Sequence, residues 1–391
     1  MTRAGAPPPL RVFIVAGEHS GDHLGAGLIR ALRERVPGLV VSGVGGDAMI
    51  REGLSSLFPL SDIAVMGFVP VVARLPQLLR RIRETAAAAV AARPDVLVIV
   101  DSPDFTHRVA RRVRALAPGI PVVDYVSPTV WAWRPGRAPA MRAYVDRLLA
   151  LLPFEPAAHA RLGGPPCSYV GHPLIERLPE LRPGPDEAAA RERPTLLVLP
   201  GSRRSEIRRL TGIFGAAVAE VARAVPDLAV VLPAVADLAE EIRGRVAGWP
   251  VVPRVVTGEA AKLAAFRSAR AALAASGTVT LELALSGVPM AVAYRVSPLE
   301  TWLRFVVTVP SIVLPNLILG ENAIPEFLQD DCRPETLAAS LVPLLRAGPA
   351  REAQNAAFAR LDALMRIAPG STPSREAARH VLAAAWGRGT V

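Results

Sequence analysis

The residues of this chain best suited to chemistry stand where short apolar runs end. Asp101 directly follows Val96–Val100, so a parallel strand there would carry its carboxylate to the sheet edge where ligands bind. A carboxylate in that place can take the proton of an attacking hydroxyl. Asp104, just beyond, suits a loop or helix-cap role. Earlier, the run Arg11–Ala16 leads into Gly17-Glu18-His19-Ser20-Gly21-Asp22. A dinucleotide-binding turn would read GxGxxG and hold pyrophosphate on bare amides. Glu18 and Asp22 instead repel phosphate and suit the hydroxyls of a polyol. Helix capping by Ser20 or Asp22 is the alternative reading, and Gly43–Asp47 (GVGGD) shares the ambiguity.

Two later turns suit anions. Leu199-Pro200-Gly201-Ser202-Arg203-Arg204-Ser205-Glu206 runs from a strand through a glycine turn into a helix start with two arginines. Helix N-terminal amides plus a bidentate arginine make a diphosphate site; a solvated arginine pair is the bland alternative. Ser276, Gly277 and Thr278 repeat the arrangement after Ala271–Ala275. Glu282 follows Thr278 by one helical turn, on the same face, placed for two ribose hydroxyls or for plain solvent. Together the two turns point to a nucleoside diphosphate. Trp131 and Trp133 lie in Tyr125–Arg134, where an indole can stack on a sugar, sit at a lipid interface or pack in a core. Ala64–Arg83 joins a dense apolar segment to a basic flank. It fits a membrane surface or acyl groove, or equally a buried helix with an arginine-rich outer face.

Stepping from these residues to what must hold them, apolar runs alternate with Ala/Arg-rich stretches. Strands are expected at Arg11–Ala16, Leu39–Val44, Val96–Val100, Val122–Val126, Leu148–Leu152, Thr195–Leu199, Ala229–Leu232, Val251–Val256, Ala271–Ala275 and Met290–Tyr294. Helices are expected between them, as at Gly25–Arg35, Leu75–Ala92 and Ile213–Ala224, and again over Arg351–Trp386. The alternation implies βαβ units and parallel sheets covered on both faces. A Pro- and charge-rich break at Leu178–Pro194 separates two α/β domains, and a cleft between domains is a favoured ligand site.

The chain has 391 residues, enough for two ordinary domains. Its net charge is +10, carried by 45 basic residues of which Lys262 is the single lysine. The arginine bias fits genomic base composition, but the positive excess suits phosphorylated metabolites or an anionic membrane. No nucleic-acid motif accompanies it, so nucleic acid is not expected as a partner. Cys167 and Cys332 make neither a disulfide framework nor a zinc pattern. No apolar run reaches the roughly 18 residues of a spanning helix, and Val12–Ala16 is too short for a signal peptide. A cytoplasmic protein is expected.

The blocks AGEHSGDHLGAGLI, VMGF, PDVLVIVDSPDF, YVSPTVWAWR, LLPFE, YVGHPL, LPGSRRSEI, ASGTVTLE, PMAVAYR, LPNLILG and PEFLQ, in this order, resemble the bacterial lipid-A-disaccharide synthases. The resemblance implies a GT-B fold, with two Rossmann-like domains facing across a cleft. It implies an N-terminal acceptor domain over 1–180, a UDP-sugar domain over 190–365 and a C-terminal helix within 366–391 crossing back. It implies transfer of 2,3-diacylglucosamine from UDP to 2,3-diacylglucosamine 1-phosphate, with inversion, no cofactor and no metal. Work at the cytoplasmic face of the inner membrane, in peripheral contact with anionic lipid, goes with those substrates. By match of motif, Asp101 is the candidate general base and Arg203 the essential arginine. The UDP site is then Gly201, Ser202, Arg203, Ser276, Gly277, Thr278 and Glu282, with Asn316 of the LPN block and Gln329 of PEFLQ. Glu18, Ser20 and Trp133 fall to the acceptor. The sequence departs from the family pattern at His19, usually Ala, at Thr106, usually Asn, and at Glu321-Asn322, near a usual Arg.

Overall fold

A computed structural model describes residues 9–64, 74–296 and 309–387. Its described chain divides into two units, one running to Pro173 and resuming at Ile367, the other spanning Leu174–Arg366.

The first unit is built on a seven-stranded sheet, all parallel. Its strands are β1 (Arg11–Ala16), β2 (Val40–Val44), β3 (Ser55–Ser56), β4 (Val96–Val100), β5 (Val122–Tyr125), β6 (Arg147–Ala150) and β7 (Cys167–Tyr169). Their order is β3-β2-β1-β4-β5-β6-β7. The helices used below are α1 (His19–Arg35), α2 (Asp47–Arg51), α3 (Leu75–Ala92), α4 (Pro103–Leu116) and α5 (Glu155–Arg161). In β1, Val12, Ile14 and Ala16 face Leu28, Ile29 and Leu32 of α1, while Phe13 and Val15 face Ile82 and Ala86 of α3 and Val109 of α4. Alternate residues of one strand thus fill two cores, which is why the strand reads as an unbroken apolar run.

The second unit repeats the plan with six parallel strands: β8 (Thr195–Leu199), β9 (Ala229–Ala234), β10 (Arg254–Thr257), β11 (Ala271–Ala275), β12 (Met290–Tyr294) and β13 (Glu326–Leu328), in the order β10-β9-β8-β11-β12-β13. Its helices include α6 (Arg204–Ala224), α7 (Glu259–Ser268), α8 (Val279–Leu285), α9 (Leu314–Leu319) and α10 (Pro334–Leu345). The last helix, α11 (Pro373–Trp386), belongs to the first unit, where Ala377, Val381 and Leu382 join the α1 core.

The apolar runs form strands within a few residues of where the sequence puts them. Three further strands, β3, β7 and β13, escape it. Each lies at a sheet edge and is only two or three residues long, as edge strands tend to be, so no apolar run marks them. Helix α1 also starts earlier than the expected Gly25, because the glycine-bearing first turn is itself helical.

In each sheet the strand order reverses once, between β1 and β4 and between β8 and β11. Ligands of open parallel sheets bind at the carboxyl ends of the strands beside such a reversal. The four turns carrying Glu18, Asp101, Arg203 and Ser276 leave these four strands.

Candidate functional site

At the first reversal, β1 and β4 run side by side with Ala16 opposite Val100. The turn after β4 is tight: Asp101 has φ 56° and Ser102 φ 46°, both left-handed. Two hydrogen bonds hold the Asp101 carboxylate. The Ser102 amide donates to Oδ1 at 2.7 Å and the Ser20 hydroxyl to Oδ2 at 3.0 Å. Thr106 braces the turn from below, its hydroxyl donating to the Asp101 carbonyl at 2.7 Å. A threonine therefore serves where the resembled pattern has asparagine. Gly17 is required here, because a Cβ on it would stand 2.3 Å from that of Ser102. Asp101 is half-buried and rigidly aimed. Glu18 is half-buried at the N-cap of α1.

Asp22 resolves in favour of capping, though of a different helix. Its buried carboxylate accepts from the amides of Gly46 at 2.8 Å, Ala48 at 2.9 Å and Met49 at 3.0 Å, closing the start of α2. The GVGGD stretch is the other half of that cap. Asp104 is exposed and ion-paired to Arg137 at 3.0 Å.

The turn after β5 carries the two tryptophans. Trp131 is structural: its indole N–H donates to Glu155 at 3.1 Å and its ring meets Phe154 edge-on. Trp133 donates to Thr129 at 3.1 Å, and the Arg134 guanidinium covers its ring at 4.1 Å. Behind them lies a buried polar group that the sequence reading missed. Burial pushes the Glu155 carboxyl up to about 7, against opposing hydrogen bonds from Leu152 and Trp131. Burial also lowers His159 to about 4, and its Nε2 lies 2.9 Å from the Ser127 hydroxyl. Under β4 and β5, His107 Nε2 lies 3.0 Å from the buried Asp124 carboxylate, whose pKa burial raises.

At the second reversal, Gly201, Ser202, Arg203, Ser276, Gly277, Thr278 and Glu282 line one cavity of about 580 Å3. Its far wall is the β9 end, with Pro233 and Ala236, and its floor carries Glu259 and Lys262 of α7. Gly201 has φ 109°, and a Cβ there would stand 2.4 Å from Glu206 Oε2. That carboxylate corrects the expected phosphate cradle. The Ser202 and Arg203 amides donate to Glu206 at 3.0 and 3.2 Å, so they are already engaged. The Arg203 guanidinium also reaches Glu206, at 3.1 Å, but its side chain remains 63% exposed and free to turn. The side chain, rather than these two amides, is thus the group of this turn left open to the cavity. The cavity contains one further cation. Lys262 pairs with Glu282 at 3.2 Å and Glu259 at 3.1 Å. The sequence did hold a signal for it, since it is the one lysine among 45 basic residues.

Two residues expected to meet the nucleotide, Asn316 and Gln329, do not line this cavity. The amide of Asn316 is buried and fully used: Nδ2 donates to Ile324 O and Glu326 Oε1, and Oδ1 accepts from Ile324 N, all at 2.9 Å. Glu326 also holds Ser311 and the Ile312 amide, and Ile312 O accepts from Ser276 at 2.8 Å. Asn316 thus helps shape the wall behind Ser276. Gln329 Oε1 accepts from the Val296 amide at 2.9 Å and is not in the cavity lining. Of the Ala64–Arg83 segment, 65–73 lie outside the described residues. The described part of α3 exposes Leu75 and Leu79 beside Arg80 and Arg83.

The family model for lipid-A-disaccharide synthetase matches residues 12–378. A lipid-A-disaccharide synthase from Nitrobacter winogradskyi is 56% identical over 385 residues, 97% of each chain. One from Bradyrhizobium diazoefficiens is 55% identical over 383 residues, again 97% of each. Among solved structures, the calicheamicin glycosyltransferase CalG4 superposes with a TM-score of 0.61 at 18% identity, covering 98% of this chain and 100% of that one. A UDP-GlcNAc 2-epimerase from Neisseria meningitidis gives 0.58 at 11%, covering 90% and 98%. The structural likenesses fix the fold class, two Rossmann-like units of the GT-B type, and leave the reaction open because transferase and epimerase share it. The sequence relatives and the family model decide that question: the chain belongs to the lipid-A-disaccharide synthetase family and is an enzyme of lipid A disaccharide synthesis.

Proposed function

We propose that the enzyme condenses UDP-2,3-diacylglucosamine with 2,3-diacylglucosamine 1-phosphate, releasing UDP and forming a β-1,6 disaccharide 1-phosphate in one inverting displacement. Asp101 takes the proton of the acceptor 6-hydroxyl as that oxygen bonds to the donor C1. The bond from C1 to the UDP oxygen breaks, and the negative charge passes to the diphosphate. Arg203 turns from Glu206 to meet that charge, and the Ser276–Thr278 turn supports it. Glu282, released from Lys262, takes the ribose hydroxyls, and Lys262 is then free for phosphate. No metal is needed for leaving-group charge on this reading. Glu18, Ser20 and Trp133 serve the acceptor.

The observation that carries this reading is the pairing of chemistries at the two strand reversals: a braced carboxylate at one, and cations around a nucleotide-sized cavity at the other. The diacylated substrates place the enzyme at the cytoplasmic face of the inner membrane, with Leu75, Leu79 and the basic flank of α3 suited to peripheral contact. Proton NMR of the disaccharide tests the stereochemistry. A β linkage to O6 is expected, and an α linkage would refute the single displacement.

A further inference from the structure

The first unit holds a second cavity, of about 800 Å3, that none of the roles above uses. Its wall includes His19 and His23 from the first turns of α1, and Asp47, Ile50 and Arg51 from α2. His19 and His23 are four residues apart and share one helix face. Ser20, between them in sequence, donates to Asp101, so the same turn serves both the general base and this cavity. Among the described residues, the side chains of His19, His23 and Arg51 make no hydrogen bond or ion pair. The walls are fixed relative to each other, because Asp22 on α1 binds three amides at the start of α2. That bonding also uses up Asp22, leaving Asp47 as the carboxylate of the rim. The lining also includes apolar side chains open to solvent: Ile50 is 48% exposed and Leu57 40%.

We propose that this cavity binds the phosphate monoester end of an acylated sugar phosphate, with His19, His23 and Arg51 on the phosphate. Arg51 offers a charged fork and each imidazole an N–H donor, the donor set that a phosphate dianion takes. Asp47 is suited to a sugar hydroxyl, and Ile50 with Leu57 to the first methylenes of an acyl chain. The inference rests on the acceptor assignment made above, and places the acceptor 1-phosphate on the α2 side of Asp101. His19 stands where the resembled pattern has alanine, so this chain would hold its acceptor phosphate with one donor more.

The test uses the full chain and the variants His19→Ala, His23→Gln and Arg51→Gln. With 2,3-diacylglucosamine 1-phosphate as acceptor, Arg51→Gln should raise the acceptor KM roughly tenfold, the size of one lost charge-assisted hydrogen bond, while the donor KM stays put. With dephosphorylated 2,3-diacylglucosamine as acceptor, variants and parent should converge. An unchanged acceptor KM, or an equal rise with both acceptors, overturns the proposal. A parent enzyme inactive on this substrate pair would defeat the functional reading instead. The cavity is then tested by NMR titration with glucosamine 1-phosphate against glucosamine. The phosphate should selectively shift the imidazole signals of His19 and His23, and equal shifts with both sugars would sink the assignment.

Discussion

Asp101 is the residue on which the proposed displacement depends most. Its carboxylate is held by Ser20 and by the Ser102 amide, and its backbone is fixed in a left-handed turn. Replacing it by alanine should lower turnover by about a thousandfold, within the range of general-base catalysis. UDP affinity measured by calorimetry should be kept, because the residues proposed for the nucleotide lie in the other unit. Arg203→Ala should do the reverse, weakening UDP by roughly tenfold or more for a lost charge-assisted contact; an unchanged affinity would remove Arg203 from the site. The placement of both at strand ends was legible in the sequence, because an apolar run followed by Asp or by Gly-Ser-Arg marks such a turn. Glu206 was not. Its role depends on folding back over Gly201, a contact no spacing rule reveals. Asn316 is engaged within the fold. Its motif marks it as important, but three 2.9 Å bonds to Ile324 and Glu326 make it a brace. Asn316→Ala should therefore cost about 2–3 kcal/mol of stability, the price of leaving buried partners unpaired, seen as a lower urea midpoint.

The elements place these residues with little freedom. Both sheets reverse their order beside the strand that opens them, and the four ligand turns leave the four strands at the two reversals. The strands themselves could be read from the apolar runs, since a strand covered on both faces has no polar residue to break it, but their order could not. The edge strands were hidden because two or three residues make no readable apolar run, and the first turn of α1 because it carries glycine and polar residues. At the second reversal, α7 brings Lys262 across to Glu282 of α8. If Lys262 passes to the diphosphate on binding, Lys262→Met should weaken UDP by about tenfold. If it only restrained Glu282, the same variant would bind UDP more tightly, which calorimetry distinguishes. Under the tryptophan turn, α5 carries Glu155 with its pKa raised to about 7. Between pH 4.5 and 7 the folded chain holds a proton there that the unfolded chain has lost. Folding stability from this group then falls as pH rises, by about 1.4 kcal/mol per pH unit at most. Glu155→Gln should abolish that decline, so its stability relative to the parent should grow over this interval.

Across the described residues, three histidines, His159 and His380 buried and His172 half-buried, act in the opposite sense. Burial lowers His159, His172 and His380 to about 4 each. Below pH 6.5 the unfolded chain protonates these imidazoles while the folded one does not, so stability is full above that pH and is lost as pH falls towards 4. Three such groups outweigh the single Glu155, and the urea midpoint of the parent should drop between pH 6.5 and 4. No helix among the described residues is long and apolar enough to cross a membrane, and the +10 charge is available for an anionic surface. What the fold cannot supply is the reaction, because transferases and epimerases share the GT-B plan. Family membership and the chemistry at the two strand reversals supply it together. The most direct measurement is UDP release by the purified enzyme given UDP-2,3-diacylglucosamine, 2,3-diacylglucosamine 1-phosphate, both, or UDP-N-acetylglucosamine alone. The account predicts UDP and a disaccharide 1-phosphate only when both acylated substrates are present. UDP release without the acceptor, or turnover of UDP-N-acetylglucosamine with none of the acylated pair, would contradict it.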